Sequence, residues 1–271
     1  MTISQTLQGK TEKLRAILAE MGGCVIGFSG GVDSTLLFAV AAELLGERAI
    51  AVTATSKTYP ERELNEAREL AERIGGRHLV IVSEELDIPE FRDNPHNRCY
   101  YCKKELFGKL KEIAEQEGVG YMLDGTNCDD AGDHRPGRVA GAELRVRSPL
   151  EEAGFTKQDI RDLSLYMGLP TWDKPAFACL SSRFPYGTAI TPERVDQVGL
   201  AEESLRGLGF RTLRVRYHGS VARIELGEEE FERATGVLRE EVVRKVKEAG
   251  FTYVALDLQG YRTGAMNEEP A

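Results

Sequence analysis

The chain has 271 residues, 41% hydrophobic and 29% charged, with 35 Lys+Arg against 44 Asp+Glu for a formal net charge of −9. That balance fits a globular chain of one large or two modest domains that needs no disulfide staples, and it excludes fibrous, repeat and low-complexity architectures. The acidic surplus argues against nucleic acid, and no window holds the roughly 18 uncharged apolar residues of a membrane span, so we expect a cytoplasmic protein with a small-molecule partner, no nucleic acid and no membrane.

An amphipathic helix is predicted over residues 10–21, with Leu14, Ile17, Leu18 and Met21 on one face. Cys24–Ser29 reads as a buried strand, followed by a helix from Ser34 to Leu45, a strand over Ala49–Ala54, a helix over Pro60–Ile74 and a strand over His78–Val82. After an irregular stretch to Arg98 come a helix over Lys103–Glu117, a strand over Tyr121–Leu123 and a helix over Thr156–Met167. Strands alternating with helices of this length predict βαβ units, hence an α/β fold whose parallel sheet carries helices on both faces. The Pro- and Gly-containing segment Trp172–Gly187 reads as irregular. Beyond it lie a helix over Pro192–Leu208, strands over Thr212–His218 and Ala222–Leu226, a helix over Gly236–Ala249 and a strand over Thr252–Asp257. These predict a small α+β domain with an antiparallel sheet, giving domains 1–185 and 186–271, with a frayed tail at Gly264–Ala271.

The strongest local signal is Ser29-Gly30-Gly31-Val32-Asp33-Ser34, which follows a predicted strand and opens a predicted helix. Consecutive glycines let the backbone approach an anion, and the helix N-terminus offers free N–H groups with a partial positive charge. Ser29 and Ser34 add hydroxyls, and Asp33 suits a Mg²⁺ beside the phosphate. A plain helix cap by Asp33 or Ser34 is the simpler alternative.

The hexapeptide resembles the SGGxDS loop of the PP-loop ATP pyrophosphatases, and the rest of the chain resembles one family among them. Asn94-Pro-His-Asn-Arg-Cys99-Tyr-Tyr-Cys102-Lys, Asp124-Gly-Thr-Asn-Cys-Asp-Asp130-Ala-Gly-Asp133, Lys174-Pro-Ala-Phe-Ala-Cys179-Leu-Ser-Ser-Arg183 and Arg214-Val-Arg216-Tyr-His-Gly are similar to segments of the LarE sulfur transferases. The resemblance implies a PP-loop domain plus a small C-terminal domain. It implies ATP with Mg²⁺ bound through Phe28, Ser29, Gly30, Gly31, Val32, Asp33 and Ser34, with Thr53, Ala54, Thr55, Gly125 and Thr126 also at the nucleotide. It implies adenylation of a pyridinium dicarboxylate mononucleotide and exchange of the activated oxygen for sulfur, in a homo-oligomer.

The sulfur source divides this family. Cys179 is the residue that resemblance makes sulfur-bearing, with Arg183 beside it as a second catalytic candidate. In one variant Cys179 is sacrificed to dehydroalanine; in another it holds a [4Fe–4S] cluster together with a C-x-x-C pair. Cys99 and Cys102 make this chain resemble the cluster type, since three thiolates leave one iron open. A structural zinc, which wants four ligands, and two inert residues at a helix start are the competing readings. Cys24 reads as a buried small hydrophobe and Cys128 has no ligand spacing. Arg214 and Arg216 project from one face of a strand as an anion clamp, which resemblance assigns to the substrate phosphate, with two solvated strand arginines as the simpler alternative. Glu202 and Glu225 resemble family carboxylates that bind a metal or orient substrate, each by itself reading as a surface charge, and Asp130, Asp133 and Arg135 form a charged loop that either orders a lid or is simply solvated. A tRNA thiolase, an amide-forming ligase and a zinc-stabilised nucleotide-binding regulator are the rival functions.

Overall fold

Residues 3–130, 136–175 and 178–262 are described by the structure, a computed structural model. Asp133, Arg135 and the tail expected at Gly264–Ala271 lie outside the described residues. The chain divides into two compact units, Met1–Glu85 with Asn97–Phe177, and Leu86–His96 with Ala178–Ala271.

The first unit opens with α1 (Gln5–Met21), capped by Ser4, whose Oγ accepts from the Leu7 N–H at 3.2 Å. There follow β1 (Cys24–Gly27), α2 (Val32–Leu45), β2 (Ala49–Thr55), α3 (Glu61–Ile74) and β3 (Arg77–Val82). The chain then passes through a short helix of the second unit, α4 (Pro89–Arg92). It returns as α5 (Arg98–Gln116), β4 (Tyr121–Leu123), α6 (Pro136–Glu143), α7 (Pro149–Glu152) and α8 (Lys157–Tyr166). Thr156 and Asp159 close a capping box at the start of α8.

All strands of this unit are parallel, in the order β3-β2-β1-β4, with Val25 opposite Ile50 on one side and Met122 on the other. β1 and β2 are apolar almost throughout because helices cover both faces. Leu14, Leu18, Leu36, Phe38 and Leu163 form the core on one side of the sheet, and Val25, Ile50 and Val52 meet Phe107 and Leu110 on the other. α2 is buried on nearly every side, so it is apolar all round rather than striped. The connection from β1 runs outward to β2 and β3, and the chain comes back to β4 on β1's other edge. The carboxyl ends of β1 and β4 therefore form a topological switch point, where open α/β sheets bind ligands.

The second unit contains α9 (Pro192–Gly207), β5 (Leu213–His218), β6 (Val221–Leu226), α10 (Phe231–Thr235), α11 (Arg239–Glu248) and β7 (Tyr253–Leu256). Its sheet order is β5-β6-β7. β5 and β6 are an antiparallel hairpin, but β7 pairs with β6 in parallel, which corrects the expected antiparallel sheet. The reason is the connection: α10 and α11 form a crossover, which returns the chain to the same end of the sheet. Leu213, Val215 and Tyr217 are buried on one face of β5, in a core that includes Val198, Leu205 and Val246. Arg214, Arg216 and His218 take the opposite face.

Leu86–His96 belongs with this unit through Asn94. Its buried amide Nδ2 donates to the carbonyls of Phe184 (3.3 Å), Pro185 (2.7 Å) and Thr188 (3.1 Å), and its main-chain carbonyl accepts from the Gly187 N–H. The His96 ring packs on Tyr186 with centroids 4.0 Å apart.

Candidate functional site: a phosphate loop and a cysteine turn

The loop Phe28–Gly31 leaves β1 at the switch point. Gly30 has φ +65°, and a Cβ there would lie 3.3 Å from Ala67 Cβ of α3, so no side chain fits. Gly31 caps α2 without any side-chain hydrogen bond, which leaves the first turn of that buried helix with donors to offer. The loop braces itself: Ser29 and Ser34 hydroxyls lie 3.3 Å apart, and Ser34 Oγ also meets the Ser29 N–H and the Gly31 carbonyl. Phe28 is buried, with its N–H on the Val52 carbonyl.

The second loop lies against the first. A Cβ on Gly125 would sit 3.1 Å from both Asp33 Cβ and the Ser34 nitrogen. Asn127 Nδ2 donates to Asp33 Oδ1 at 3.3 Å, and Thr126 is held by Asp124 through its N–H and hydroxyl. Asp33 itself carries an ion pair unforeseen from sequence: Lys157 Nζ lies 2.7 and 2.5 Å from its two carboxylate oxygens. Lys157 is the first residue of α8, 124 positions away, so nothing local in the sequence announces it.

At the end of β2, Thr53 is fully buried and donates to the Phe28 carbonyl at 2.8 Å, so its hydroxyl accepts from His78 Nε2, also at 2.8 Å. Burial, then the charge of Arg68, hold His78 below its usual value and therefore neutral. Thr53 thus ties the strand ends together, while Ala54 and Thr55 are half-buried at the same edge.

The cysteines separate by environment. Cys24 is buried on β1, and that burial pushes its thiol up to about 12, an inert core residue. Cys99 is exposed and Cys102 half-buried. Both fall inside α5, which begins at Arg98 rather than at Lys103. Spaced i and i+3, they share one face of its first turn. Cys99 follows three residues after His96, where the chain leaves the second unit. Cys128 is half-buried with its thiol toward the Glu151 carbonyl, 3.7 Å away.

In the second unit Cys179 precedes a 3₁₀ turn, Leu180–Arg183, and its Sγ lies 2.9 Å from Ser181 Oγ. Two buried arginines hold this turn by its main chain. Arg183, only 2% exposed, donates through Nη1 to the carbonyls of Ala178 (2.8 Å) and Cys179 (3.1 Å). Its Nε and Nη2 clasp Glu202 at 2.8 and 3.0 Å. Arg216 donates to the Ser182 carbonyl at 3.0 Å and clasps Glu225 at 2.9 and 2.6 Å. Burial works to raise the Glu202 carboxyl, but Arg183, Arg206 and the Val215 N–H outweigh it and hold the group below the ordinary carboxylate range.

The residues read as a second metal site and half of an anion clamp are therefore engaged with each other and with the cysteine turn. Arg214 differs from Arg216. It stacks on Tyr261 at 5.0 Å and donates to the Leu213 carbonyl, and among the described residues no carboxylate pairs with it. Burial, then the neighbouring Arg183 charge, lower its pKa. Among the described residues, no group of three or more His, Cys, Asp or Glu side chains within either unit gathers as a metal site. No described helix is long and apolar enough to cross a membrane.

Comparison with known proteins adds four findings. The asparagine synthase family model matches residues 23–126, the stretch from β1 through the second loop. A pyridinium-3,5-bisthiocarboxylic acid mononucleotide synthase of Lactiplantibacillus plantarum is 40% identical over 97% of this chain and 95% of its own length. An uncharacterized Synechocystis protein is 45% identical over 96% and 98% respectively. More distantly, a component of the glutamine-hydrolyzing GMP synthase from Thermoplasma volcanium is 25% identical over 57% of this chain and 54% of its own.

Proposed function

The chain belongs to the LarE family of PP-loop enzymes, and from that membership we propose that it converts a carboxylate of a pyridinium dicarboxylate mononucleotide to a thiocarboxylate at the expense of ATP. The observation that carries this reading is the likeness to the bisthiocarboxylate synthase over nearly the whole of both chains. The product would serve assembly of a nickel-pincer nucleotide cofactor.

The chemistry divides into two steps. A carboxylate is a poor electrophile, so one of its oxygens first attacks the α-phosphorus of ATP, giving an acyl-adenylate and releasing pyrophosphate. A sulfur nucleophile then adds to the acyl carbon, and AMP leaves with the carboxylate's oxygen. In this reading the N–H groups of the Gly30–Ser34 segment receive the phosphates. Asp33 would exchange its Lys157 partner for Mg²⁺, freeing the lysine to meet a phosphate oxygen. Arg214, the half-buried cation without a carboxylate, suits the substrate phosphate, and Arg216 supports it from its pair with Glu225.

The donor set fits a [4Fe–4S] cluster. Cys99, exposed, and Cys102, half-buried, stand on one helical turn, and Cys179 supplies a third thiol from a braced turn. Three thiolates would hold the cluster and leave one iron free to carry sulfide when it is bound.

The test is anaerobic purification with iron and sulfide analysis, then turnover with Mg·ATP and the dicarboxylate mononucleotide. We expect bound iron and sulfide, AMP and pyrophosphate, a thiocarboxylate product and an unchanged protein mass. Loss of about 34 Da on Cys179, the elements of H₂S, replaces the cluster by a sacrificial cysteine. Absence of pyrophosphate overturns the reading.

A further inference from the structure

The phosphate loop is held from behind by two side chains that lie outside it. Tyr59, in the segment between β2 and α3, donates its hydroxyl to the Ser29 carbonyl at 3.0 Å. Lys174 donates to the Gly30 carbonyl at 3.3 Å and lies 3.1 Å from Glu63 Oε2 and 2.7 Å from Glu66 Oε2 on α3. Burial, then the Glu63 and Glu66 charges, push the Tyr59 phenol upward, which keeps it a proton donor at any physiological pH. Glu63 is itself buried and also bonded by Arg62. The group is therefore assembled on α3, the helix that Gly30 approaches too closely to carry a side chain.

In a trans peptide the C=O and the next residue's N–H point in opposite directions, and the described chain contains no cis bond. Fixing the Ser29 carbonyl toward Tyr59 turns the Gly30 N–H the other way. Fixing the Gly30 carbonyl toward Lys174 does the same for the Gly31 N–H. Among the described residues the Gly30 N–H has no acceptor, and the Gly31 N–H reaches only Ser29 Oγ of its own loop at 3.4 Å. Two successive donors are thus aimed together, a concave arrangement suited to an anion.

We propose that Tyr59 and Lys174 are positioning residues for nucleotide binding: by anchoring the carbonyls of Ser29 and Gly30 to the segment before α3 and to the carboxylates of α3, they preset the Gly30 and Gly31 N–H groups toward the phosphates of ATP. They touch no phosphate themselves. Without them each peptide plane is free to rotate, and binding has to order it.

The inference rests on the nucleotide reading of the loop. It is tested by calorimetric titration of Mg·ATP and by amide NMR of Tyr59→Phe, Lys174→Met and Lys174→Arg in the full chain. Tyr59→Phe keeps the ring and removes one hydrogen bond. We expect its Kd for Mg·ATP to rise by about five- to tenfold, and that of Lys174→Met by at least tenfold, the scale of one hydrogen bond to a neutral or charged donor. Lys174→Arg keeps a donor and restores most of the affinity. The Gly30 and Gly31 amide signals should shift and exchange faster in Tyr59→Phe before any ligand is added, which loss of global stability alone does not produce. Should Lys174→Met fail to fold, Tyr59→Phe decides alone. Unchanged affinity and unchanged Gly30 and Gly31 signals in Tyr59→Phe overturn the inference while the nucleotide reading stands. A wild-type chain that binds no Mg·ATP overturns both.

Discussion

The phosphate loop and the Cys179 turn are both short irregular segments between regular elements, yet they are secured in opposite ways. The loop exposes its N–H groups and is tied back by its carbonyls to Tyr59 and Lys174. The cysteine turn has its carbonyls of Ala178, Cys179 and Ser182 gripped by guanidinium groups that are themselves locked into buried carboxylates. An anion site has to leave donors unsatisfied, so its stability comes from glycine conformations and neighbouring strands. A turn that presents a thiol can satisfy its whole main chain, and buried bidentate pairs then hold it rigid. Charged residues beside the Cys179 turn are thus scaffold.

Six variants sharpen or break this contrast. The largest effect is expected for Glu202→Ala, which strands Arg183 in the interior; breaking a buried pair costs about 3–5 kcal/mol, read as a lower denaturant midpoint. A loss below about 1 kcal/mol, the range of an exposed pair, would mean that the turn does not depend on the clasp. The same carboxylate sets a pH dependence. Its folded pKa lies below the unfolded value of ~4.3, so its contribution is complete above that value and disappears as acid takes the pH down through the folded pKa. Glu202→Gln should flatten the acid limb of the stability curve.

Next comes Gly30→Ala, which puts a Cβ at φ +65° and 3.3 Å from Ala67. We expect about 1–2 kcal/mol of destabilisation from the left-handed conformation alone and a larger fractional loss of ATP affinity; wild-type affinity in this variant would remove the loop from nucleotide binding. Lys157→Met follows, with a stability change within about 1 kcal/mol because the pair with Asp33 is part-exposed. Its effect should appear instead as a raised Mg²⁺·ATP requirement in pyrophosphate release. The smallest stability change belongs to Arg214→Gln, within about 0.5 kcal/mol since no ion pair is lost, accompanied by a rise in KM for the mononucleotide. The paired Arg216→Gln should instead unfold the second unit more readily, and equal behaviour of the two arginines would erase the distinction drawn between them.

Much of the candidate nucleotide site is legible in the sequence because its signals are contiguous. Gly30, Gly31 and Ser34 stand between a strand and a helix, where period and punctuation suffice to place them, and Asp124–Asn127 ends another strand, where the family resemblance picks it out. Lys157, Tyr59 and Lys174 are not legible, because each meets the loop from 30 to 144 positions away through a single side chain. Cys99 and Cys102 stand out, but ahead of their helix, since Asn97 and Arg98 give no strong start signal and α5 opens earlier than its apolar periodicity suggests. Asn94 is equally silent: an asparagine before a proline looks like a turn, and only the fold shows its amide shared among three carbonyls.

The sequence alone determined the alternation of strands and helices, the glycine loop and the C-x-x-C spacing, because those depend on neighbours within one or two turns of chain. Tertiary structure decided which charges are scaffold and which are free, and whether the last strand runs with or against its neighbour. Arg214 and Arg216 are chemically identical and two residues apart. Glu225 stands opposite Arg214 in the β5–β6 register, yet only the fold turns the Arg216 guanidinium diagonally onto it and sets the Arg214 guanidinium over the ring of Tyr261, because ion pairing is settled by distance and burial rather than by residue type.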